Sequence, residues 1–284
     1  MGSRVALRLL AAVLLSFLST SVEAQSVMLQ IRPRVGDTLH VRLEQEVEMT
    51  GVPAGCGGQQ NALRTRAKSG SASCGDTRTM TTRMQVYSRA IARRATRDAT
   101  DMLAITDSVL TSTEKRGPLR HAADQTSPRT PVELRIATDG SVEVGAGPAS
   151  DEMRSLLGQM PATLSRKPIS AGEKWVHEMR VPLAGEPGAM GLLRTTFQLD
   201  SLKRNGDVAY ISMRGTLSHD HSNGSESETS GSLTGTMRFD RRLGWITDTH
   251  ATIDVWSEVT SRSSRKPMDV HTRVVQSLHV SRAR

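Results

Sequence analysis

Apolar and polar residues alternate with a period of two along most of the chain. Leu39, Val41, Leu43, Val47 and Met49 share one parity, and His40, Arg42, Glu44, Glu46 and Glu48 share the other. Successive strand side chains point to opposite faces, so this pattern predicts a strand with one face on a core and one in water. The alternation recurs over 79–92, 102–113, 132–137 and 142–144. After an interruption it returns over 173–183, 193–202, 208–217, 228–240, 245–259 and 268–280. Asp139-Gly140 and Asn205-Gly206 fall between alternating runs, where tight turns with positive φ are required.

The period changes once. Ser150 is suited to cap a helix, and Asp151 and Glu152 suit its positive end. Met153, Leu156, Leu157 and Met160 then recur at i, i+3, i+4 and i+7, and Pro161 ends the run. The pattern therefore predicts a mostly β protein: an antiparallel meander of about ten strands with one short amphipathic helix. So many strands in one sheet tend to curl, which makes a strongly curved sheet or half-barrel the expected form, with the helix on its concave side. Met153, Leu156, Leu157, Met160 and the following Trp175 are the candidate core or ligand-facing residues.

The N-terminus departs from this pattern. Arg4 and Arg8 precede an apolar run from Leu9 to Leu18, and Val22-Glu23-Ala24 forms a small–x–small site before Gln25. That is the layout of a cleaved signal peptide over residues 1–24, and the run is too short to span a bilayer. The expectation is a periplasmic or secreted protein whose residues 25–284 form a single β-rich domain. Removing residues 1–24 takes away two Arg and one Glu, so the formal charge of +8 becomes +7. Cys56 and Cys74 flank a Gly- and Ser-rich stretch, and in an oxidising compartment they are expected to pair and close the 56–74 loop. In the chain-entropy account such a closure contributes roughly 3 kcal/mol.

Two segments carry a resemblance. Val35-Gly36-Asp37-Thr38-Leu39 has the form x-G-D-x-L, and Leu164-Ser165-Arg166-Lys167-Pro168-Ile169-Ser170-Ala171-Gly172-Glu173-Lys174-Trp175 resembles L-P-x-K-P-V-x-V-G-D-x-W. Both resemble segments of exported, uncharacterised bacterial β-sheet proteins of a domain of unknown function. Ser165 replaces the usual Pro and Glu173 the commoner Asp. By analogy of fold, the resemblance extends to curved-sheet periplasmic lipoprotein carriers. It implies no catalytic residue.

Catalytic signatures are missing. The sequence holds no G-x-S-x-G elbow, no phosphate-cradling glycine loop and no H-E-x-x-H. His219-Asp220-His221, followed by Glu226 and Glu228, is the local cluster of metal-ligand types, and His at i and i+2 share a strand face. Its Ser- and Gly-rich setting is that of a solvated loop. No cofactor is expected. Aromatic residues make up 3% of the chain, too few for stacking platforms that hold sugars or bases. The basic residues are spread among acids on alternating strands rather than gathered on one element, which speaks against a nucleic-acid protein. On the wet faces, Glu44, Glu46 and Glu48 are expected to pair with Arg83, Arg89 and Arg93 across strands.

Three functions remain. The first is a non-enzymatic envelope protein that binds a lipophilic ligand or acyl chain on an aliphatic, Met-rich inner face, while the diffuse basic surface suits an anionic envelope component as a weak partner. The second is a structural or protein-interaction module without a small ligand. The third, remote, is a metal-dependent hydrolase using His219 and His221.

Overall fold

The computed structural model describes residues 26–53, 78–114, 131–145, 163–182, 190–219, 229–260 and 267–283. These residues form eleven antiparallel strands: β1 (Thr38–Pro53), β2 (Arg78–Ala95), β3 (Ala99–Glu114), β4 (Val132–Ala137), β5 (Val142–Val144), β6 (Lys174–Pro182), β7 (Met190–Lys203), β8 (Val208–His219), β9 (Thr229–Asp240), β10 (Trp245–Thr260) and β11 (Pro267–Arg282). The predicted helix over 150–160 and the Cys56–Cys74 loop lie outside the described residues.

All eleven strands belong to one sheet, in the order β5-β4-β3-β2-β1-β11-β10-β9-β8-β7-β6. This is not the single meander that the sequence predicts. It is two meanders, β1–β5 and β6–β11, joined where the first strand pairs with the last, in register from Leu39↔Arg282 to Pro53↔Met268. The two halves begin alike. In Arg34–Asp37 and in Ser170–Glu173 the fourth residue's N–H donates to the first residue's carbonyl, at 2.9 and 3.0 Å. The third residue is Gly36 or Gly172, with φ of 91° and 88°, a conformation that a side chain would strain. The two resembling segments are therefore turns that launch β1 and β6.

Eleven strands laid flat would span roughly 50 Å. Yet the two edges of this sheet are tied to the same short segment. Thr163 donates its N–H to the Asp139 carbonyl in the β4–β5 turn (3.0 Å) and accepts the indole N–H of Trp175 on β6 (3.2 Å). The sheet must therefore curl until its edges face each other. Bulges at Tyr87/Ser88, Ala92/Arg94, Leu199/Ser201 and Ile246/Asp248 bend the strands toward this end, the base of the sheet.

A second segment crosses the base. Val27 and Ile169 exchange backbone hydrogen bonds at 2.8 and 2.9 Å, Ile31 donates to Thr138, and Arg32 donates to Gly244 in the β9–β10 turn. Its alternating Val27, Leu29 and Ile31 are buried, together with Leu164 and Ile169 from the 163–169 segment. They pack onto Leu39, Met102, Leu199, Ile211 and Phe239 from the sheet. This plug is absent from the elements that the alternation predicts, although Val27-Leu29-Ile31 has the same period.

Candidate ligand-binding face

The face that meets the plug is the inner one. From the base it continues along each strand at every second residue, by the pairing register, and its composition is unusual. Its near limit is the Asp37–Arg282 ion pair at the rim, and its far limit is the last β1–β2 pair, Gly51↔Arg78. Between these limits, no Asp, Glu, Lys or Arg occupies an inner position of β1, β2 or β6–β11 among the described residues. On β1 these positions are Val41, Leu43, Gln45, Val47 and Met49, and on β11 Val280, Leu278, Gln276, Val274 and Thr272. His177 on β6 faces inward too, bonded to the Leu164 carbonyl at 3.3 Å and set edge-on to Phe197.

Burial falls along this face. Leu39 and Val280, next to the plug, are 0% and 3% exposed. Farther out, Leu43, Val47, Val86, Val255 and Val274 are half-buried and stand outside the core cluster. The inner face thus has a sealed base and a less deeply buried aliphatic far half. Each of these side chains keeps part of its apolar surface open, and burying the remainder under a ligand would be favourable by roughly 25 cal/mol per Å².

Trp175 belongs to the sealed part. It stacks on Phe197 at 5.6 Å and packs against the core cluster while its N–H holds Thr163. Among the other candidate residues, Met153, Leu156, Leu157 and Met160 lie outside the described residues, as do Cys56, Cys74 and His221. His219 ends β8, and its side chain is not described. Among the described residues no group of three His, Cys, Asp or Glu side chains is placed to hold a metal.

The outer face is the opposite in kind. Arg83 donates to Glu46 at 2.8 Å and lies 3.6 Å from Glu114, Arg89 pairs with Asp107 at 2.8 Å, and Arg194 with Glu178 at 3.4 Å. The Glu46 hydrogen bond and charge hold the Arg83 guanidinium above its ordinary range. The expected Glu–Arg pairing across β1 and β2 is present at Glu46–Arg83, whereas Arg89 turns to β3 and Glu44 binds Arg42 on its own strand. A groove of about 510 Å³ crosses this face over β1, β11, β10, β9 and β8. Its charges are mostly engaged in ion pairs: Asp248 lies 2.8 Å from Arg238 and accepts from His279 at 2.8 Å, and His250 bonds Ser277 at 2.9 Å. The groove therefore offers a charged ligand little that is not already engaged.

At the base, burial alone would push the Asp139 carboxyl up. The backbone N–H and hydroxyl of Ser141 and the Arg166 guanidinium outweigh it and hold the carboxyl below its ordinary range. All of these partners are structural, and they fix the β4–β5 turn to the 163–169 segment.

Comparison with known proteins adds a partial family match and no activity. A model for a family of unknown function, DUF6263, matches residues 147–246. No curated protein matches the sequence. Among solved structures, one described as lipid–protein interactions in lipovitellin aligns with a TM-score of 0.48 at 11% identity. That alignment covers 88% of this chain and 25% of the other, so the chain spans about a quarter of that protein's length. An outer membrane channel from Pseudomonas putida F1 aligns with a TM-score of 0.26 at 8% identity, over 89% of this chain and 98% of that one. The translocator domain of the autotransporter NalP from Neisseria meningitidis aligns at 0.18 and 11%, over 98% and 97%.

Proposed function

We propose that the protein is an exported, non-enzymatic binder of a lipophilic ligand, held on the far half of the concave sheet face. The observation that carries this reading is the inner face itself: among the described residues of β1, β2 and β6–β11 it is free of carboxylates, ammonium and guanidinium groups between its rim and its far limit, aliphatic, and only half-buried away from the plug. Pockets for lipophilic ligands are concave and mostly apolar, with few polar groups. Val, Leu and Met give a surface that follows a flexible chain without aromatic stacking.

The polarity also speaks against a sheet that faces lipid from its outside. Transmembrane barrels point apolar residues outward and polar residues inward. Here the outward residues form ion pairs such as Arg83–Glu46 and Arg238–Asp248, with Leu110 and Val176 as exposed apolar exceptions, and the inner positions are mostly apolar.

Native mass spectrometry of the protein purified from its own cell envelope tests the reading. A co-purifying lipid mass is expected, and it should disappear when a charge is placed on the inner face. Consistent absence of any lipid mass, together with failure to take up a fluorescent polyene fatty acyl probe, would leave the interaction module as the better account.

A further inference from the structure

The apolar inner face is interrupted by a pair of carboxamides. Gln45 on β1 and Gln276 on β11 stand directly opposite each other, between the apolar pairs Leu43↔Leu278 and Val47↔Val274. Both are half-buried, and among the described residues neither amide has a hydrogen-bond partner. Side chains directly opposite in an antiparallel pair have Cβ atoms about 5 Å apart, so the two amides occupy one spot on the face. Their amide atoms stay open to solvent, so a ligand that displaces this water from the aliphatic surface must replace its hydrogen bonds. Two facing amides in the middle of an aliphatic surface suit a ligand whose own polar group reaches that spot.

We propose that Gln45 and Gln276 anchor the carbonyl of a neutral acyl ester or acyl amide, with the hydrocarbon chain lying along Leu43, Leu278, Val47 and Val274. This deepens the lipophilic-binder reading and rests on it. The class follows from what the face offers. A carboxamide supplies two N–H donors to a carbonyl and a C=O to a hydroxyl or N–H. It supplies no charge, and no Lys or Arg shares the stretch of this face between Val41 and Met49, so an ionised fatty carboxylate would be desolvated there without a counter-ion. A bare hydrocarbon would leave both amides unpaired.

The test compares two probes on the full protein at pH 8: a polyene fatty acid and its methyl ester. The ester is expected to bind about tenfold more tightly, the equivalent of one retained hydrogen bond. In a Gln45→Met, Gln276→Met double variant, the ester should lose about tenfold while the acid changes less than threefold. The unliganded variant should also melt at a higher temperature than the natural protein, because Met extends the aliphatic packing between Leu43, Leu278, Val47 and Val274. An amide pair with a merely structural role would lower it. If the double variant does not fold, Gln276→Met alone is expected to give half of the logarithmic loss. Equal affinity of acid and ester, or an ester affinity indifferent to both substitutions, overturns the anchor and leaves the lipophilic face standing. Failure of both probes to bind overturns the face as well.

Discussion

Trp175 and Asp139 lie at opposite edges of an eleven-stranded sheet, and both are bonded to Thr163. The indole N–H donates to the Thr163 carbonyl at 3.2 Å, and the Thr163 N–H donates to the Asp139 carbonyl at 3.0 Å. The link closes the curled sheet at its base without any pairing between β5 and β6. It sets how far apart the edges stand, and so the width of the concave face beyond.

Trp175→Phe keeps an aromatic ring against Phe197 while removing the hydrogen bond to Thr163 and a small part of the ring packing. It is expected to cost about 1 kcal/mol in urea unfolding. Trp175→Ala loses the ring contact as well and should cost about 3 kcal/mol. If the two variants were equally stable, the ring would add nothing to the closure.

Asp139→Asn tests the buried carboxylate. Its folded pKa lies below its unfolded value, which is about 3.9. Such a group contributes stability that is present above the unfolded value and lost as pH falls through the folded one. The variant should therefore be less stable than the natural protein at pH 7, by about 1–2 kcal/mol, with the difference closing below about pH 4. A difference that persists unchanged to about pH 2.5 would assign the effect to geometry rather than charge.

Gly244→Ala places a Cβ 2.3 Å from the Arg32 carbonyl oxygen, at the crossing of the plug over the β9–β10 turn. A loss of about 2–4 kcal/mol is expected, with faster hydrogen exchange at Ile31 and Arg32. Gly36→Ala is the comparison, since it shares the positive φ but meets no atom within 4 Å. It should cost only the backbone strain, about 1 kcal/mol.

Val47→Glu introduces a charge on the half-buried inner face. It is expected to reduce uptake of a polyene acyl probe more than about tenfold, at a stability cost of roughly 1–3 kcal/mol. Thr252→Glu on the outer face of β10 should leave uptake unchanged. Arg83→Gln, which removes an exposed ion pair with Glu46, should leave the urea midpoint where it was.

The inward position of the two amides is legible in the sequence: Gln45 stands in the apolar parity of Leu43 and Val47, and Gln276 in that of Val274 and Leu278. What the alternation does not show is that the two residues meet. They are far apart in the chain and face each other only because β1 pairs with β11. The same holds for the plug. Val27-Leu29-Ile31 carries a visible period, but its burial depends on the β4–β5 and β9–β10 turns arriving at one place.

The sequence by itself determined the strands, their turns and the polarity of their two faces. Those are local properties, set by a period of two and by glycines at positive φ such as Gly36 and Gly172. Tertiary structure alone decided that the sheet is two meanders joined between the first and last strands, that it curls until Thr163 bridges its edges, and that a plug seals one end. Each of these rests on contacts between residues distant in the chain. Alternation says which face of a strand is apolar, but leaves open which strand lies beside it and what covers it.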